Sequence, residues 1–196
     1  MWKVNEIFQS LQGEGYNTGT ASVFIRLSGC NLRCDFCDTR HDEGTMLTLP
    51  EIVEQVMRYP KAPLIVLTGG EPSLWIDEDF VKGLKTMTGK RIAIETNGTR
   101  PLPNGIDWVT LSPKTGIGNS GDTPVVITRC DELKVVYLGQ DLTQYDNVTA
   151  TYRYLQPCWT DDPEKRKHNL LMTVQAVMDN PQWCLSLQTH RILGIK

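Results

Sequence analysis

The chain has 196 residues, 40% hydrophobic and 22% charged, a composition typical of one globular domain or at most a small two-domain protein. A chain of this length buries roughly 70% of its unfolded surface, and its composition excludes a disordered tail protein, a collagen-like rod and a coiled coil. The net charge of −3, without a basic tract, argues against binding nucleic acid through its phosphates. The longest aliphatic run, residues 64–67, is far shorter than the ~20 apolar residues of a membrane span.

Strand patterns alternate with helix patterns along the chain, which predicts a single α/β domain over residues 1–196 with a parallel sheet and right-handed crossovers. Short apolar runs predict strands at residues 23–27, 64–67, 91–95, 108–111, 133–137, 152–155 and 183–188. Helix caps and helical spacing predict three helices: one behind the capping box Thr48–Glu51, one at residues 79–87, and one opened by Asp162-Pro163 with Leu170, Leu171, Val174, Val177 and Met178 as its apolar residues. Residues 97–132, rich in Gly, Pro, Asn and Thr, are interpreted as loops around the strand at 108–111.

The cysteines bear on both compartment and chemistry. The first six residues lack the charged-then-apolar layout of a secretory signal, so we expect a cytoplasmic chain with reduced thiols. Three of the six cysteines fall within eight residues, at Cys30, Cys34 and Cys37. Such a cluster favours metal binding or catalysis over a disulfide framework. The other three are interpreted as packing or incidental thiols: Cys130, Cys158 and Cys184.

The clustered cysteines form the pattern C-x3-C-x2-C directly after a predicted strand and Gly29. Three thiolates on one loop can meet on one side of a metal centre, but they cannot complete a tetrahedral zinc site alone. His41 or a distant cysteine could supply the fourth ligand of a structural zinc site. Alternatively, three cysteines hold three irons of a cubane cluster and leave the fourth iron open to a small molecule. The spacing favours the open cluster, with zinc as the alternative.

Glycine-rich or polar segments follow three further predicted strands, at the edge where ligands bind in α/β sheets. They are Thr68-Gly69-Gly70-Glu71-Pro72, Glu95-Thr96-Asn97-Gly98-Thr99 and Ser112-Pro113-Lys114. Paired glycines let backbone approach a ligand closely, and carbonyls with a carboxylate can accept bonds from an ammonium group. The polar side chains can bind ribose hydroxyls. Ordinary turns are the alternative interpretation, as is a solvated surface position for Lys114.

Two features nearer the N-terminus also suggest binding. Residues 8–15, Phe-Gln-Ser-Leu-Gln-Gly-Glu-Gly, are flexible and dense in hydrogen-bonding groups, so they could read the edge of a heterocycle. A hairpin turn is the alternative. Arg26 lies inside an apolar strand, where an arginine must be paired, and its planar fork suits a carboxylate. An internal salt bridge is the alternative for Arg26.

The cysteine motif together with Gly-Gly-Glu resembles the radical S-adenosylmethionine superfamily. In that superfamily the methionine part of the cofactor chelates the open iron, and an electron from the cluster yields a 5′-deoxyadenosyl radical. The resemblance implies that Cys30, Cys34 and Cys37 hold a [4Fe-4S] cluster. It implies contacts to S-adenosylmethionine from the following residues: Phe36, Cys37, Asp38, Gly70, Glu71, Glu95, Asn97, Ser112, Lys114 and Gln156.

The order of motifs over residues 5–195 closely resembles one family, the 7-carboxy-7-deazaguanine synthases. The segments 11–15, 24–27, 155–157 and 187–190 carry this resemblance, together with Cys-x-x-Cys-Asp-Thr at 34–39. It implies a reduced, incomplete (β/α) barrel with few helices. It also implies conversion of 6-carboxy-5,6,7,8-tetrahydropterin to 7-carboxy-7-deazaguanine, with loss of ammonia and regeneration of S-adenosylmethionine. Substrate-binding roles are implied for Leu11, Gln12, Gly13, Glu14, Arg26, Thr68, Gln188 and His190.

The same resemblance implies further partners: a Mg²⁺ ion bound by the hydroxyl of Thr39, a flavodoxin-like reductant and a homodimer. The product would feed queuosine or another 7-deazapurine modification. The chain departs from some members in lacking a long insertion in the cysteine loop. Two rival hypotheses are a small activase that makes glycyl radicals and a non-catalytic zinc-binding module. An activase would not share the segment Leu-Gln-Gly-Glu-Gly at residues 11–15 or the Cys-Asp-Thr signature. A zinc-binding module would need no S-adenosylmethionine.

Overall fold

The computed structural model describes residues 1–37, 39, 41–117 and 123–196. The strands in this part of the chain are β1 (Trp2–Leu11), β2 (Ala21–Leu27), β3 (Thr45–Leu47), β4 (Leu64–Gly69), β5 (Arg91–Thr96), β6 (Trp108–Leu111), β7 (Arg129–Tyr137), β8 (Thr149–Pro157) and β9 (Cys184–Leu185). The helices are α1 (Leu49–Met57), α2 (Glu78–Thr88), α3 (Pro163–Asp179) and α4 (Thr189–Leu193). Short 3₁₀ turns occur at Pro72–Leu74 and Leu142–Tyr145.

The described strands form one open, mostly parallel sheet in the order β3-β1-β2-β4-β5-β6-β7-β8-β9. The strands from β2 through β9 run parallel, whereas β1 is antiparallel to both β2 and β3. The sheet does not close, so the predicted incomplete barrel with few helices is confirmed. No helix in the described residues has the length and apolar content of a membrane span.

Local sequence signals account for where the helices begin. The predicted capping box of α1 is present, with the Thr48 amide donating to the Glu51 carboxylate at 2.7 Å. The carboxylate of Asp77 caps α2 by accepting from the Phe80 amide at 2.8 Å. Asp162 caps α3 through the amides of its first turn, as predicted from Asp162-Pro163. These caps satisfy amides that have no partner inside the helix.

Two apolar clusters lie between the sheet and its helices. The first joins β2, β4 and β5 to α1 and α2 through buried side chains that include Ile25, Leu67, Ile94, Val56 and Phe80. The second joins β6, β7 and β8 to α3 through Leu111, Leu133, Leu155 and Ala176. Because side chains alternate along a strand, the residues between these core positions lie on the opposite face of the sheet. That opposite face carries the polar groups Arg26, Thr68, Glu95 and Lys134.

The structure differs from the sequence-based expectations in several places. The last strand is not residues 183–188 but the two-residue β9, and it is followed by the unpredicted helix α4. The apolar residues named for α3 are only partly in contact with the core: Val177 packs on the second cluster, whereas Leu170, Leu171 and Met178 are exposed. The helix packs through Thr173 and Ala176, whose small side chains are buried. Strands β1 and β3 were not predicted, and β7 begins earlier than expected, at Arg129.

Candidate active site

One cavity of about 500 Å³ lies on the polar face of the sheet. Every predicted site residue that the structure describes lines this cavity; Asp38 lies outside the described residues. The cysteine loop and the strand-end segments contribute Cys30, Cys34, Phe36, Cys37, Thr39, Gly70, Glu71, Asn97, Ser112 and Lys114. The strands, the segment after β1 and the C-terminal part of the chain contribute Leu11, Gln12, Gly13, Glu14, Arg26, Thr68, Glu95, Gln156, Gln188 and His190. The fold therefore brings segments far apart in sequence to one surface.

The cysteine loop is held at both ends by backbone hydrogen bonds. The Gly29 amide donates to the His41 carbonyl at 2.7 Å, and the Gly29 carbonyl accepts from the Glu71 amide at 2.9 Å. All three cysteines are free thiols, and Cys37 is the exposed one. Burial raises the pKa of the Cys30 and Cys34 thiols. Within the described residues, no three Cys, His, Asp or Glu side chains are gathered closely enough to hold a metal ion.

Gly69, the last residue of β4, and Gly70 are required for contact between this turn and the start of the cysteine loop. Gly69 has φ of +131°, and a Cβ there would lie 2.1 Å from the Leu27 carbonyl oxygen. A Cβ on Gly70 would lie 2.0 Å from the Gly29 carbonyl oxygen. The Gly70 amide donates to the Leu27 carbonyl at 3.0 Å. The Gly-Gly pair thus lets the turn after β4 pack directly on the backbone that leads into the cysteines.

The Glu71 side chain is used within the protein. It is 1% exposed, and its carboxylate accepts from the Ser73 amide at 3.0 Å, the Thr96 hydroxyl at 2.7 Å and the Asn97 amide at 2.7 Å. These bonds join the turn after β4 to the end of β5. The cofactor contact predicted for Glu71 stays a prediction, and in this structure its carboxylate organises the cavity wall.

The segment after β5 holds the cysteine loop from the other side. The side-chain amide of Asn97 donates to the side-chain oxygen of Asn31 at 3.1 Å, and the side-chain amide of Asn31 donates to the Thr99 hydroxyl at 2.8 Å. After β6, the Lys114 ammonium donates to the Ser112 carbonyl at 2.9 Å and to its hydroxyl. Burial, together with the charge of Lys134, lowers the pKa of Lys114. Polar groups at three strand ends therefore converge around the cysteines.

Residues 12–20 form a hairpin loop between β1 and β2, and this loop also lines the cavity. Its glycines allow close packing against the C-terminal part of the chain. The Gly13 carbonyl accepts from the Thr189 amide at 2.9 Å, and a Cβ on Gly13 would lie 2.2 Å from the His190 ring. Gly15 has φ of +62°, and a Cβ there would lie 2.0 Å from the Glu132 carboxylate. The hairpin and the ligand-binding interpretations of this segment are thus compatible.

A buried ionic cluster connects this loop to the sheet. The Lys134 side chain is 6% exposed, and its ammonium donates to the Glu14 carboxylate and, at 3.2 Å, to Glu95. Gln188 donates to the other oxygen of Glu14 at 2.8 Å. Gln12 and Thr68 each donate to Glu95 at 3.1 Å. Five of the predicted binding residues therefore share one hydrogen-bonded network around an unpredicted lysine.

Arg26 has an internal partner. Its Nε lies 2.9 Å from the Glu6 carboxylate, and its Nη1 donates to the Thr39 hydroxyl at 3.3 Å. The Lys196 ammonium binds the other oxygen of Glu6. The Phe8 ring stacks on Phe24, with ring centroids 5.1 Å apart, and forms the apolar part of this wall.

Comparison with known proteins settles the family. The model of the Radical SAM superfamily matches residues 24–116. A 7-carboxy-7-deazaguanine synthase from Bacteroides thetaiotaomicron is 54% identical over 196 residues, covering all of both chains. One from Bordetella pertussis is 37% identical over 217 residues, covering 99% of both. The chain belongs to the 7-carboxy-7-deazaguanine synthase family.

Solved structures agree with this family. The crystal structure of QueE from Escherichia coli superposes with a TM-score of 0.69 at 27% identity, covering 95% of this chain and 93% of that one. Streptococcus suis SuiB shares the fold alone, with a TM-score of 0.53 and 14% identity over 82% of this chain and 47% of that one. The radical SAM assignment implies a [4Fe-4S] cluster and S-adenosylmethionine as cofactors.

The residues present in this synthase-family chain fit an open iron–sulfur cluster. Cys30, Cys34 and Cys37 are free, lie on one loop and face one cavity. Thiolate donors of this kind suit iron–sulfur clusters. Of the fourth zinc ligands considered, His41 does not line the cavity, whereas Cys158 does. The three cysteines of the loop suffice for an open cluster, and the Radical SAM match favours the cluster over a zinc site.

Sequence reasoning missed several residues of this site. Lys134, Glu6, Trp159, Arg191 and Lys196 all line the cavity. A signal existed for Lys134, since it interrupts the apolar run Leu133-Lys134-Val135 just as Arg26 interrupts its own strand. No comparable signal marked Lys196, because its contact with Glu6 joins opposite ends of the chain.

Proposed function

We propose that this chain converts 6-carboxy-5,6,7,8-tetrahydropterin to 7-carboxy-7-deazaguanine with loss of ammonia. The full-length identity to synthases of that name supports the proposal. The observation that carries it is that the cysteine loop and the hairpin segment of residues 12–14 line one cavity. A cofactor bound at the cysteine loop and a heterocycle bound at the hairpin segment would be held in the same cavity, as a radical reaction between them requires.

We assign the cluster to Cys30, Cys34 and Cys37. Their support is that all three are free thiols on one cavity-lining loop. When bound, the cluster and S-adenosylmethionine supply the hydrogen-abstracting radical chemistry. The chain's own part is to hold the two molecules and to exclude water. Phe36, Gly70, Glu95 and the other predicted cofactor residues would line the part of the cavity that holds S-adenosylmethionine.

The hairpin loop and the C-terminal segment offer polar groups that can pair with the edge of a pterin. Gln12, Glu14 and Gln188 present amide and carboxylate atoms within one network, and the buried Gln188 oxygen has no hydrogen-bond partner among the described residues. A pterin edge carries adjacent N–H donors and a carbonyl acceptor, which such groups can pair. Arg26 would bind the substrate carboxylate, because its guanidinium lines the cavity and is only partly used by Glu6.

Magnesium, the reductant, the dimer and the compartment belong to the same proposal. The Thr39 hydroxyl lines the cavity close to Arg26, where a substrate carboxylate and a hydroxyl oxygen would be suitable hard ligands for Mg²⁺. We propose a flavodoxin-like electron donor, a homodimer and a cytoplasmic location. The cytoplasmic location is supported by the six cysteines, none of which forms a disulfide in the described part of the chain.

The decisive experiment is anaerobic purification and reconstitution with iron and sulfide. We expect a brown protein with about four irons per chain that forms 7-carboxy-7-deazaguanine from the carboxypterin, S-adenosylmethionine and a reductant, as measured by mass spectrometry. Omission of S-adenosylmethionine is the matched control. A colourless protein that binds zinc, or a brown protein that cleaves S-adenosylmethionine without using the pterin, would reject this function.

A further inference from the structure

Lys134 is the cation at the centre of the ionic cluster described above, and no predicted role accounts for it. It lies in the interior strand β7, and its side chain is 6% exposed. Its ammonium binds Glu14 and Glu95, which come from the hairpin loop and from β5. A lysine in such a position is rare unless it is paired. Here its partners are two carboxylates that line the cavity.

The charges around Glu14 are unbalanced without this lysine. The ionisable groups that face it are Glu95 of β5, Lys114 after β6, Glu132 and Lys134 of β7, and His190 of α4. Glu132 is 2% exposed, and burial raises its pKa. Burial acts on Glu14 in the same direction, but the charge and hydrogen bond of Lys134, with help from Gln188, lower the pKa of Glu14 to about 2. Lys134 is thus the main partner that favours the ionised form of Glu14.

The geometry leaves part of Glu14 available to a ligand. Lys134 binds one carboxylate oxygen and Gln188 binds the other. An ionised carboxylate has about four acceptor positions, so capacity remains on the side that lines the cavity. A protonated Glu14 would lose acceptor capacity and would present an O–H donor to the N–H groups of a heterocycle.

We propose that Lys134 is a positioning residue that keeps Glu14 ionised and directed into the cavity, so that Glu14 can accept hydrogen bonds from the N–H groups of the bound heterocycle at neutral pH. This inference rests on the proposed function for the identity of the heterocycle. It predicts that removing the cation converts a nearly pH-independent binding site into one that fails as the pH falls.

The test compares Lys134→Gln with wild type in the cluster-containing protein. Affinity for the carboxypterin is measured by calorimetry between pH 6 and pH 8. In the variant Glu14 loses the cation that is bonded to it, its pKa rises, and a fall in pH protonates it. Affinity should then drop about tenfold more across this range than in wild type.

Two further variants separate positioning from general stability. Lys134→Arg keeps the charge and should restore the wild-type pH profile. Lys90→Met is the matched control, because Lys90 is also a buried lysine but binds the backbone carbonyls of Tyr59, Pro60 and Ala62, away from the cavity. It should lower stability and leave the pH profile unchanged. Parallel pH profiles for Lys134→Gln and wild type would overturn the inference.

A second readout does not need the pterin, and its wild-type arm does not need a folded Lys134→Gln protein. Infrared difference spectra between wild type and Glu14→Gln report whether Glu14 is protonated. Wild type should lack a protonated Glu14 carboxyl band at pH 6, and Lys134→Gln, if folded, should gain one. A protonated Glu14 in wild type would overturn the inference. If wild type fails to bind the pterin, the proposed function fails, and the spectra of wild type and Lys134→Gln still decide the role of Lys134.

Discussion

The Glu6 carboxylate lies 2.9 Å from Nε of Arg26, on the neighbouring antiparallel strand. The Lys196 ammonium binds the same carboxylate, so two cations share one anion at the cavity wall. Burial opposes ionisation of Glu6, but hydrogen bonds and charge from Lys196 and Arg26 lower its pKa. The site keeps a net positive charge that a substrate carboxylate would neutralise. The internal-salt-bridge interpretation of Arg26 is therefore confirmed, and it is compatible with ligand binding.

Replacing Arg26 with Ala should weaken binding of the carboxypterin about 10–100-fold, because a charge-assisted pair contributes about 1.5–3 kcal/mol. Arg26→Lys should recover only part of the loss, since an ammonium cannot form the two parallel bonds of a guanidinium. Calorimetry measures both. Glu6→Gln is the matched variant: it removes a competing anion and should tighten binding. If Glu6→Gln weakens binding as much as Arg26→Ala, then Glu6 positions Arg26 rather than competing with the ligand.

Each of Cys30, Cys34 and Cys37 should be indispensable for the cluster. Replacement of any one with Ala should abolish iron binding at the site and all turnover, because the loop supplies no spare thiolate. Cys158 is the most stringent control, since it lines the same cavity. Cys158→Ala should retain the iron content and the visible absorbance of wild type. A fully loaded Cys34→Ala protein would show that the cluster ligands lie elsewhere.

Magnesium should stimulate turnover through Thr39. Thr39→Ala should lose that stimulation while keeping the absorbance of the cluster, because it removes the hydroxyl near Arg26, with one methyl group, and leaves the cysteines in place. Thr39→Ser restores the hydroxyl and should restore the response. Turnover is measured against magnesium concentration after treatment with a chelator. An unchanged magnesium response in Thr39→Ala would remove this residue from the metal site.

Gly15→Ala should destabilise the chain more than Gly19→Ala. Both glycines have positive φ, at +62° and +86°, so both substitutions incur backbone strain of about 1–2 kcal/mol. Only at Gly15 does the new Cβ collide with another group, the Glu132 carboxylate, whereas nothing lies within 4 Å at Gly19. Urea unfolding midpoints of the two variants report the difference. Equal midpoints would mean that Glu132 moves aside at no cost.

Much of the sheet was predictable because its signals are local. The apolar runs at β2, β4, β5 and β6 read as buried strands, and the caps Thr48 and Asp162 mark helix starts. Strand β1 escaped prediction because its residues are half-buried and mixed in polarity, since one side lines the cavity and the other packs on the core. The helix α3 was predicted, but the sequence did not show which of its apolar residues pack, because the exposed Leu170 and Leu171 resemble core leucines in sequence.

The candidate site likewise has parts that the sequence predicted and parts that only the tertiary structure revealed. Sequence alone identified the cysteine loop, the Gly-Gly-Glu turn and residues 11–15, since each is a short segment with its own chemical pattern. Only the tertiary structure decided that Glu6 occupies Arg26, that Glu71 is committed to internal bonds and that Lys134 joins Glu14 to Glu95. These are pairings between residues 20 to 120 positions apart. A side chain's partner across that distance depends on strand order and register, which no single segment of the chain encodes.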